Sequence, residues 1–238
     1  MSTRVACLGD SITRAQISAD YLAMLEARVT GTDDTFSRHG VNGDFAYNLL
    51  QRLQPVVDER PDVITVLIGT NDVRASLDIS RGTRMAKRKD LPVAPMAGWY
   101  RENLTAIVVR LRTQTDARIA LLSLPMLGQE LDAPAAAAVG EHSAVVESVA
   151  REHGVAYLPL HETQVAHLRA SDAPAIPYRE AAHPVLNPTL VQHFLMRRSL
   201  DEISRRRGLA LTTDLIHQNS RGAAMIADLI GTYVAACT

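Results

Sequence analysis

Residues 61–72 read PDVITVLIGTND, an apolar run that ends in a group of polar residues. Between Val63 and Ile68 the only polar side chain is that of Thr65, so polar and apolar residues do not alternate. A strand with apolar residues on both faces is typical of a parallel sheet that is covered by helices on each side. The stretch therefore predicts a central strand that leads directly into the polar residues 69–72.

Strand and helix patterns alternate along the rest of the chain. Further strands are predicted at residues 5–8, 35–38, 118–124 and 155–158. Helices with apolar residues at helical spacing are predicted over 18–29, 44–53, 96–115, 135–153, 189–207 and 219–236, the first two capped by Ser18 and Asp44. This order indicates an α/β fold, a three-layer α/β/α sandwich with a central parallel sheet of about five strands.

Length and composition are those of a single globular domain over residues 1–238. Hydrophobic residues make up 47% of the chain and the formal net charge is −1, so nothing indicates a nucleic-acid partner. No apolar run reaches the length of a membrane span, and the first residues lack the apolar core of a signal peptide; we expect a cytoplasmic protein. Cys7 and Cys237 form no disulfide framework, although one bridge between them stays open.

Two segments depart from the regular pattern. Residues 73–95 follow the GTND stretch as a long connection, and residues 160–210 are predicted to be an insertion or lid. Both segments are rich in basic residues: Arg74, Arg81, Arg84, Lys87, Arg88 and Lys89 in the first, and Arg197, Arg198, Arg205, Arg206 and Arg207 in the second. A site for an anionic substrate is one interpretation, but solvated surface charges are favoured for both segments.

Short polar stretches follow the first three predicted strands. They are GDS at 9–11, NGD at 42–44 and GTND at 69–72. Each of them alone is explained by a tight turn with a capping residue. Because function gathers at the carboxyl ends of parallel strands, their joint position favours a site that contains Ser11.

A nucleophilic serine needs a base, and the base needs a group that orients it. Of the eight histidines, His217 lies in TTDLIHQNSRG, directly before the last predicted helix. Asp214 precedes it by three residues, so one turn can bring the carboxylate to Nδ1 and leave Nε2 facing Ser11. A histidine in a loop near a helix cap is the alternative interpretation.

With these blocks in place, the chain resembles the SGNH, or GDSL-type, hydrolases over nearly its whole length. That family is named for a Ser, a Gly, an Asn and a His in separate blocks. The matching blocks are GDSI with Ser11, HGVNGD with Gly43, IGTND with Asn71, and DLIH with Asp214 and His217. The resemblance implies a flavodoxin-like fold and a serine esterase or lipase that acts on small-molecule esters through an acyl-enzyme without a cofactor.

The resemblance also implies roles for these residues. Ser11 is expected to be the nucleophile, His217 the base and Asp214 the group that orients the base. The oxyanion is expected to receive hydrogen bonds from the backbone of Ser11 and Gly43 and from the side-chain amide of Asn71.

Two features depart from the family pattern. Gln218 follows His217 where the family often has a proline, and REAAHPVLNP offers a second acid–histidine–proline arrangement through Glu180, His183 and Pro184. We favour His217 as the base, because Asn219, Gly222 and an amphipathic helix follow it.

The surroundings of the predicted site leave several functions open. Asp10, Asp72 and His183 are predicted to line the pocket. An acyltransferase or a thioesterase with the same triad, a non-catalytic flavodoxin-like binding protein, and a family member with a closed pocket remain alternatives to the esterase. Motifs for phosphate loops, dinucleotides and zinc are absent, so we expect no metal and no nucleotide.

Overall fold

A five-stranded parallel sheet with strand order β2-β1-β3-β4-β5 forms the centre of the computed structural model, which describes residues 2–28, 33–95, 97–179 and 188–237. The strands are β1 (Arg4–Gly9), β2 (Thr35–Gly40), β3 (Val63–Leu67), β4 (Arg118–Leu122) and β5 (Ala156–Leu158). All five residues of β3 are buried, as the unbroken apolar run predicts.

Helices connect successive strands of the sheet, and four more follow its last strand among the described residues. They are α1 (Ser11–Arg14), α2 (Tyr21–Arg28), α3 (Ala46–Gln51), α4 (Gln54–Glu59), α5 (Thr70–Ser76), α6 (Ile79–Arg88), α7 (Ala97–Gln114), α8 (Pro134–Glu152), α9 (Leu160–Arg169), α10 (Pro188–Leu190), α11 (Leu200–Arg206) and α12 (Ser220–Ala235). A π-helical turn, Val191–Leu195, follows α10.

Helices pack on both faces of the sheet and make two separate apolar cores. On one face, Leu49 of α3, Leu104 of α7 and Val146 of α8 lie in one buried cluster with the sheet. On the other face, Leu22 of α2 and Ile226 of α12 lie in a second cluster. Burial of such side chains contributes roughly 1.5–3 kcal/mol each. The predicted three-layer α/β/α sandwich is confirmed.

The parallel register brings the carboxyl ends of three strands to one edge of the sheet. Gly9 at the end of β1 is opposite Gly40 of β2 on one side and Leu67 of β3 on the other. Neighbouring strands of a sheet are about 5 Å apart, so the polar stretches that follow these strands begin close to one another.

The structure corrects the predicted connection over residues 73–95. Most of it is helical, because α5 continues to Ser76 and α6 covers Ile79–Arg88. The Asp78 side chain caps α6 by accepting a hydrogen bond from the Arg81 N–H.

The predicted basic helix over 189–207 is also corrected, since it is interrupted. Arg197 has a positive φ of 51°, which no α-helix accommodates, and Ser199 caps a new helix by accepting from the Glu202 N–H.

Smaller differences concern the ends of the chain. The helix predicted over 18–29 is α2, which starts at Tyr21. Ser18 does not cap it, because its hydroxyl forms hydrogen bonds with the Gln218 backbone near the other end of the chain. Val29, predicted to belong to that helix, lies outside the described residues.

Cys7 and Cys237 are both free thiols, so the bridge left open by the sequence is not formed. No helix of the described residues is long and apolar enough to cross a membrane.

Gly69 sets the turn between β3 and α5. Its φ is +133°, and a Cβ atom there would lie 2.7 Å from the Tyr100 hydroxyl oxygen and 2.8 Å from ring carbons of that tyrosine. The same hydroxyl donates to the Ile68 carbonyl at 3.0 Å, so the ring is held in place.

Gly69→Ala is expected to lower the free energy of unfolding by about 2 kcal/mol or more, through backbone strain and displacement of Tyr100. Gly98→Ala is the matched control, since a Cβ there meets no atom within 4 Å and alanine favours the helix. Urea denaturation of both variants measures the difference; equal stabilities would contradict the prediction.

Candidate active site

Ser11 is placed by the turn from β1 into α1. The Asp10 side chain caps α1, with Oδ1 accepting a hydrogen bond from the Ile12 N–H at 2.9 Å. This cap fixes the direction in which the helix leaves the strand. Ser11 Oγ then lies 3.0 Å from Nε2 of His217, although 206 residues separate the two in the chain.

His217 is oriented by Asp214 within one tight turn. The histidine Nδ1 lies 2.9 Å from Oδ2 and 3.1 Å from Oδ1 of the carboxylate, and Oδ1 also accepts the backbone N–H groups of His217 and Ile216. Leu215, between them, has a positive φ of 73°. Because a carboxylate only accepts hydrogen bonds, Nδ1 carries the proton and Nε2 is free to accept from the serine.

The structure gives a reason for Gln218, where the family often has a proline. The Gln218 N–H donates to Ser18 Oγ at 3.0 Å, and its carbonyl accepts from the Ala19 N–H at 2.7 Å. Its side-chain oxygen accepts from Gln164 at 2.7 Å. A proline lacks the N–H that makes the first of these bonds. Gln218 thus ties the histidine turn to the segment after α1.

Asn71 is held on the first turn of α5 and lines the cavity. Its Oδ1 accepts from an Arg74 guanidinium nitrogen at 2.7 Å, which fixes the orientation of the amide. Its Nδ2 donates to the Asp44 carbonyl at 2.9 Å and lies 3.4 Å from Asp10 Oδ2. Arg74 is one helical turn after Asn71, and this spacing is the sequence signal for its role beside the amide.

Gly43 completes the row of residues predicted to bind an oxyanion. Its φ is +74°, a conformation that favours glycine. A cavity of about 640 Å³ opens over these residues, and its walls include Ser11, Gly43, Asn71, Asp214 and His217. The structure therefore brings together all five residues that the sequence analysis assigns to the triad and the oxyanion hole.

The remaining predicted pocket residues behave differently. Asp10 and Asp72 are almost completely buried and are not among the residues that line the cavity, so the structure corrects their predicted position. The physical reason is that their carboxylates bind backbone N–H groups, of Ile12 and Ala46, beneath the site. His183 lies outside the described residues.

Burial also shifts the titration of these two acids. The pKa of Asp72 is raised to about 8, chiefly by burial, with the Ala46 N–H opposing the shift. The pKa of Asp10 is raised to about 6, again chiefly by burial, while the hydrogen bond from Ile12 and the charge of His217 oppose the shift. Both acids thus favour the protonated form compared with exposed aspartates.

Asp44, near these two acids, instead binds two basic side chains. Its carboxylate receives Arg52 Nε at 2.7 Å and Lys89 Nζ at 2.8 Å. Within the described part of the chain, no group of three or more metal-binding side chains is found.

This arrangement can support nucleophilic acyl transfer. A hydroxyl that donates to an imidazole, which in turn donates to a carboxylate, is the geometry of serine hydrolases. Its place at the carboxyl edge of a three-layer α/β/α sandwich is the usual place for a site in such a sheet.

Comparison with known proteins gives the family. Residues 7–189 match the GDSL-like lipase/acylhydrolase family, more than half of the chain, and the chain therefore belongs to that family and hydrolyses carboxylic esters. The matched region includes Ser11, Gly43 and Asn71, whereas Asp214 and His217 lie beyond it. No protein with a curated description matches the sequence.

Solved structures share the fold. One is LAE5, an alpha/beta hydrolase enzyme from the metagenome of Lake Arreo, Spain, which is 20% identical with a TM-score of 0.69; the match covers 99% of this chain and 96% of that one. Another is Axe2, an acetylxylan esterase from Geobacillus stearothermophilus, at 16% identity and a TM-score of 0.69, covering 96% and 92%. A third, the acetyl xylan esterase AlAXEase, is 18% identical with a TM-score of 0.67, covering 97% and 99%.

Asp72→Asn is expected to flatten the dependence of stability on pH. Because folding raises the pKa of Asp72 from 3.8 to about 8, the folded chain holds this proton more tightly than the unfolded chain. Its stabilising contribution is complete at low pH and is lost as the pH rises towards 8. Between about pH 6 and about pH 8, the wild type should lose about 2 kcal/mol of unfolding free energy that the variant keeps.

Urea denaturation at the two pH values measures this difference. The matched control is Asp116→Asn, the same substitution at an exposed position. If both variants lose as much stability as the wild type over this interval, the burial of an ionisable Asp72 has no effect on stability.

Proposed function

We propose that Ser11, His217 and Asp214 form the catalytic triad of this ester hydrolase. The observation that carries the proposal is the continuous hydrogen-bonded chain from Ser11 Oγ to His217 Nε2, at 3.0 Å, and from His217 Nδ1 to Asp214 Oδ2, at 2.9 Å. All three side chains reach the same cavity.

In the proposed reaction, Ser11 Oγ attacks the ester carbonyl carbon while its proton passes to His217 Nε2. The tetrahedral intermediate collapses as the imidazolium returns this proton to the departing alkoxide, which leaves an acyl-enzyme and an alcohol. Water then attacks the acyl-enzyme with His217 again as base, and the carboxylic acid leaves. Asp214 stabilises the imidazolium in both halves of the reaction.

The negative charge of each tetrahedral intermediate is proposed to be bound by three donors. These are the backbone N–H groups of Ser11 and Gly43 and the Nδ2 amide of Asn71. Arg74 supports this role because it holds Asn71 Oδ1 and so fixes the orientation of the amide. A donor of this kind contributes about 3 kcal/mol to the transition state.

The segment over residues 160–210 is proposed to form a wall of the acyl or alcohol subsite. Ile176, Pro188, Leu190 and Leu209 of this segment line the cavity with the triad. Since two of the similar structures are acetyl xylan esterases, a short acyl group is the first substrate class to test.

Labelling with a fluorophosphonate is expected to modify Ser11, because the reagent reacts with an activated serine. Ser11→Ala should lose both the label and at least about 10³-fold of the activity on 4-nitrophenyl acetate. Mapping of the labelled peptide by mass spectrometry identifies the site. The base is tested in parallel: His217→Ala should abolish labelling, and His183→Ala, which removes the competing histidine of the sequence, should keep it.

A label that disappears only in His183→Ala would move the base to residue 183. A wild type that takes no label on Ser11 would contradict the proposed nucleophile.

Asn71→Ala is expected to lower kcat by about 10²–10³-fold with a much smaller change in KM, because its amide acts mainly on the transition state. Steady-state kinetics on 4-nitrophenyl acetate measure this split. Asn103→Ala is the matched control, since that buried asparagine bonds within α7 to the Trp99 carbonyl and does not line the cavity. Similar kcat losses in both variants would indicate a general structural effect.

A further inference from the structure

The cavity above Ser11 has a strongly positive lining. Among the described residues, five basic side chains line it: Arg74, Arg88, Lys89, Arg179 and Arg207. The only described acidic residue in the lining is Asp214, which is bound to His217. The chain as a whole has 25 basic and 26 acidic residues, so this excess of positive charge is a property of the cavity and not of the composition.

Two of the five cations are engaged by the protein. Lys89 Nζ is bound to the Asp44 carboxylate at 2.8 Å, which neutralises its charge. Arg74 holds Asn71 Oδ1 and also donates from Nε to the Tyr178 hydroxyl at 3.1 Å. These two residues line the cavity together with Gly43 and Asn71, the proposed oxyanion donors.

Arg207 is a partly buried cation whose position is fixed by neutral groups. Its Nη1 donates to Thr189 Oγ1 and to the Thr213 carbonyl, both at 2.7 Å. No described residue accepts a hydrogen bond from its Nε or Nη2, and none forms a salt bridge with it. Burial lowers the pKa of Arg207, and the charge of Asp214 in the same lining opposes this shift. An anionic ligand on the guanidinium would offset the free-energy cost of its partial burial further.

Arg88 and Arg179 lie at the exposed part of the same lining. Neither forms a salt bridge or a side-chain hydrogen bond with any other described residue. Their charges therefore add to the positive potential at the entrance of the cavity, which attracts anions from solution.

We propose that the ester substrate carries a carboxylate or phosphate group beside the scissile bond and that Arg207 binds this group. The planar guanidinium with free Nε and Nη2 donors matches the two oxygens of such a group. Arg88 and Arg179 increase the rate of substrate association. The inference rests on the proposed function and specifies the substrate of that same site. It replaces the prediction that Arg207 belongs to a solvated helix face.

Two pairs of esters test the proposal. In the first pair the charge is on the acyl side: mono-4-nitrophenyl glutarate against its neutral methyl ester. In the second pair it is on the alcohol side: 4-acetoxybenzoate against methyl 4-acetoxybenzoate. The wild type is expected to have at least about tenfold higher kcat/KM for the anionic member of one pair, and the ratio should fall as salt is added.

Arg207→Gln is expected to lower the ratio of kcat/KM for the anionic ester to that for its neutral partner by about tenfold or more. Arg207→Lys keeps the charge but lacks the paired donors of the guanidinium, so it should lower the ratio less. The matched control is Arg205→Gln, which removes the same charge from the same region of α11 at an exposed position outside the cavity lining. Its ratio should equal that of the wild type. Circular dichroism melting establishes that each variant is folded.

Binding of glutarate and of inorganic phosphate, measured by calorimetry, gives a readout that does not depend on catalysis. The wild type should bind at least one of these anions, and Arg207→Gln should bind it at least about tenfold more weakly than Arg205→Gln does.

The possible failures are distinguishable. Hydrolysis of the neutral esters without preference for either anionic ester, together with no anion binding, would overturn the anion site and leave the ester hydrolase intact. A wild type that binds an anion through Arg207 but hydrolyses none of the four esters and takes no fluorophosphonate label on Ser11 would leave the anion site intact and contradict the proposed triad. Equal ratios in Arg207→Gln and Arg205→Gln would show that Arg207 does not bind the charged group.

Discussion

The parallel pairing of β1 with both β2 and β3 is the constraint on which the rest of the structure depends. Because Gly9 is opposite Gly40 and Leu67, three loops are forced to begin at one edge of the sheet. Ser11, Gly43 and Asn71 each lie within four residues of a strand end. Their short distance from the strands leaves little freedom, so the rigid sheet sets their relative positions.

The histidine has to reach this edge from the other end of the chain. A set of hydrogen bonds between the turn at 211–219 and the segment after α1 does this. Thr213 Oγ1 donates to the Ile17 carbonyl, and Gln218 pairs through its backbone with Ser18 and Ala19. α12 packs on the same face of the sheet as α2 and so holds the turn against the serine. The Ser11–His217 contact is thus a product of the packing of the terminal helix.

Beneath the site lie two buried acids whose ionisation is unfavourable. Asp10 and Asp72 are buried among the loops, and the raised pKa of each reports the cost of ionising a carboxylate there. Both carboxyl groups accept hydrogen bonds from backbone N–H groups of α1 and α3, which orders the loops that carry Ser11 and Gly43. Above the site the charge is positive, because basic side chains from α5, from the end of α6, from the segment before α10 and from the residue after α11 line the cavity. The site therefore lies between buried acids and a positive entrance.

The sequence alone determined the order of the strands and the three-layer fold, and its resemblance to the GDSL-type hydrolases pointed to the five residues proposed for the triad and the oxyanion hole. The fold follows from short-range patterns, namely unbroken apolar runs and helical spacing. The polar blocks can be grouped because a parallel sheet brings the carboxyl ends of its strands to one edge. Only the tertiary structure decided that Asp10 and Asp72 lie beneath the cavity, that the basic segment at 189–207 breaks at Arg197, and that Gln218 serves as a link. The tertiary structure also decided that Arg207 lines the cavity and that Arg205 is exposed to solvent. Two arginines two residues apart have the same local pattern, and only long-range packing of α11 against the rest of the chain determines which one faces the cavity.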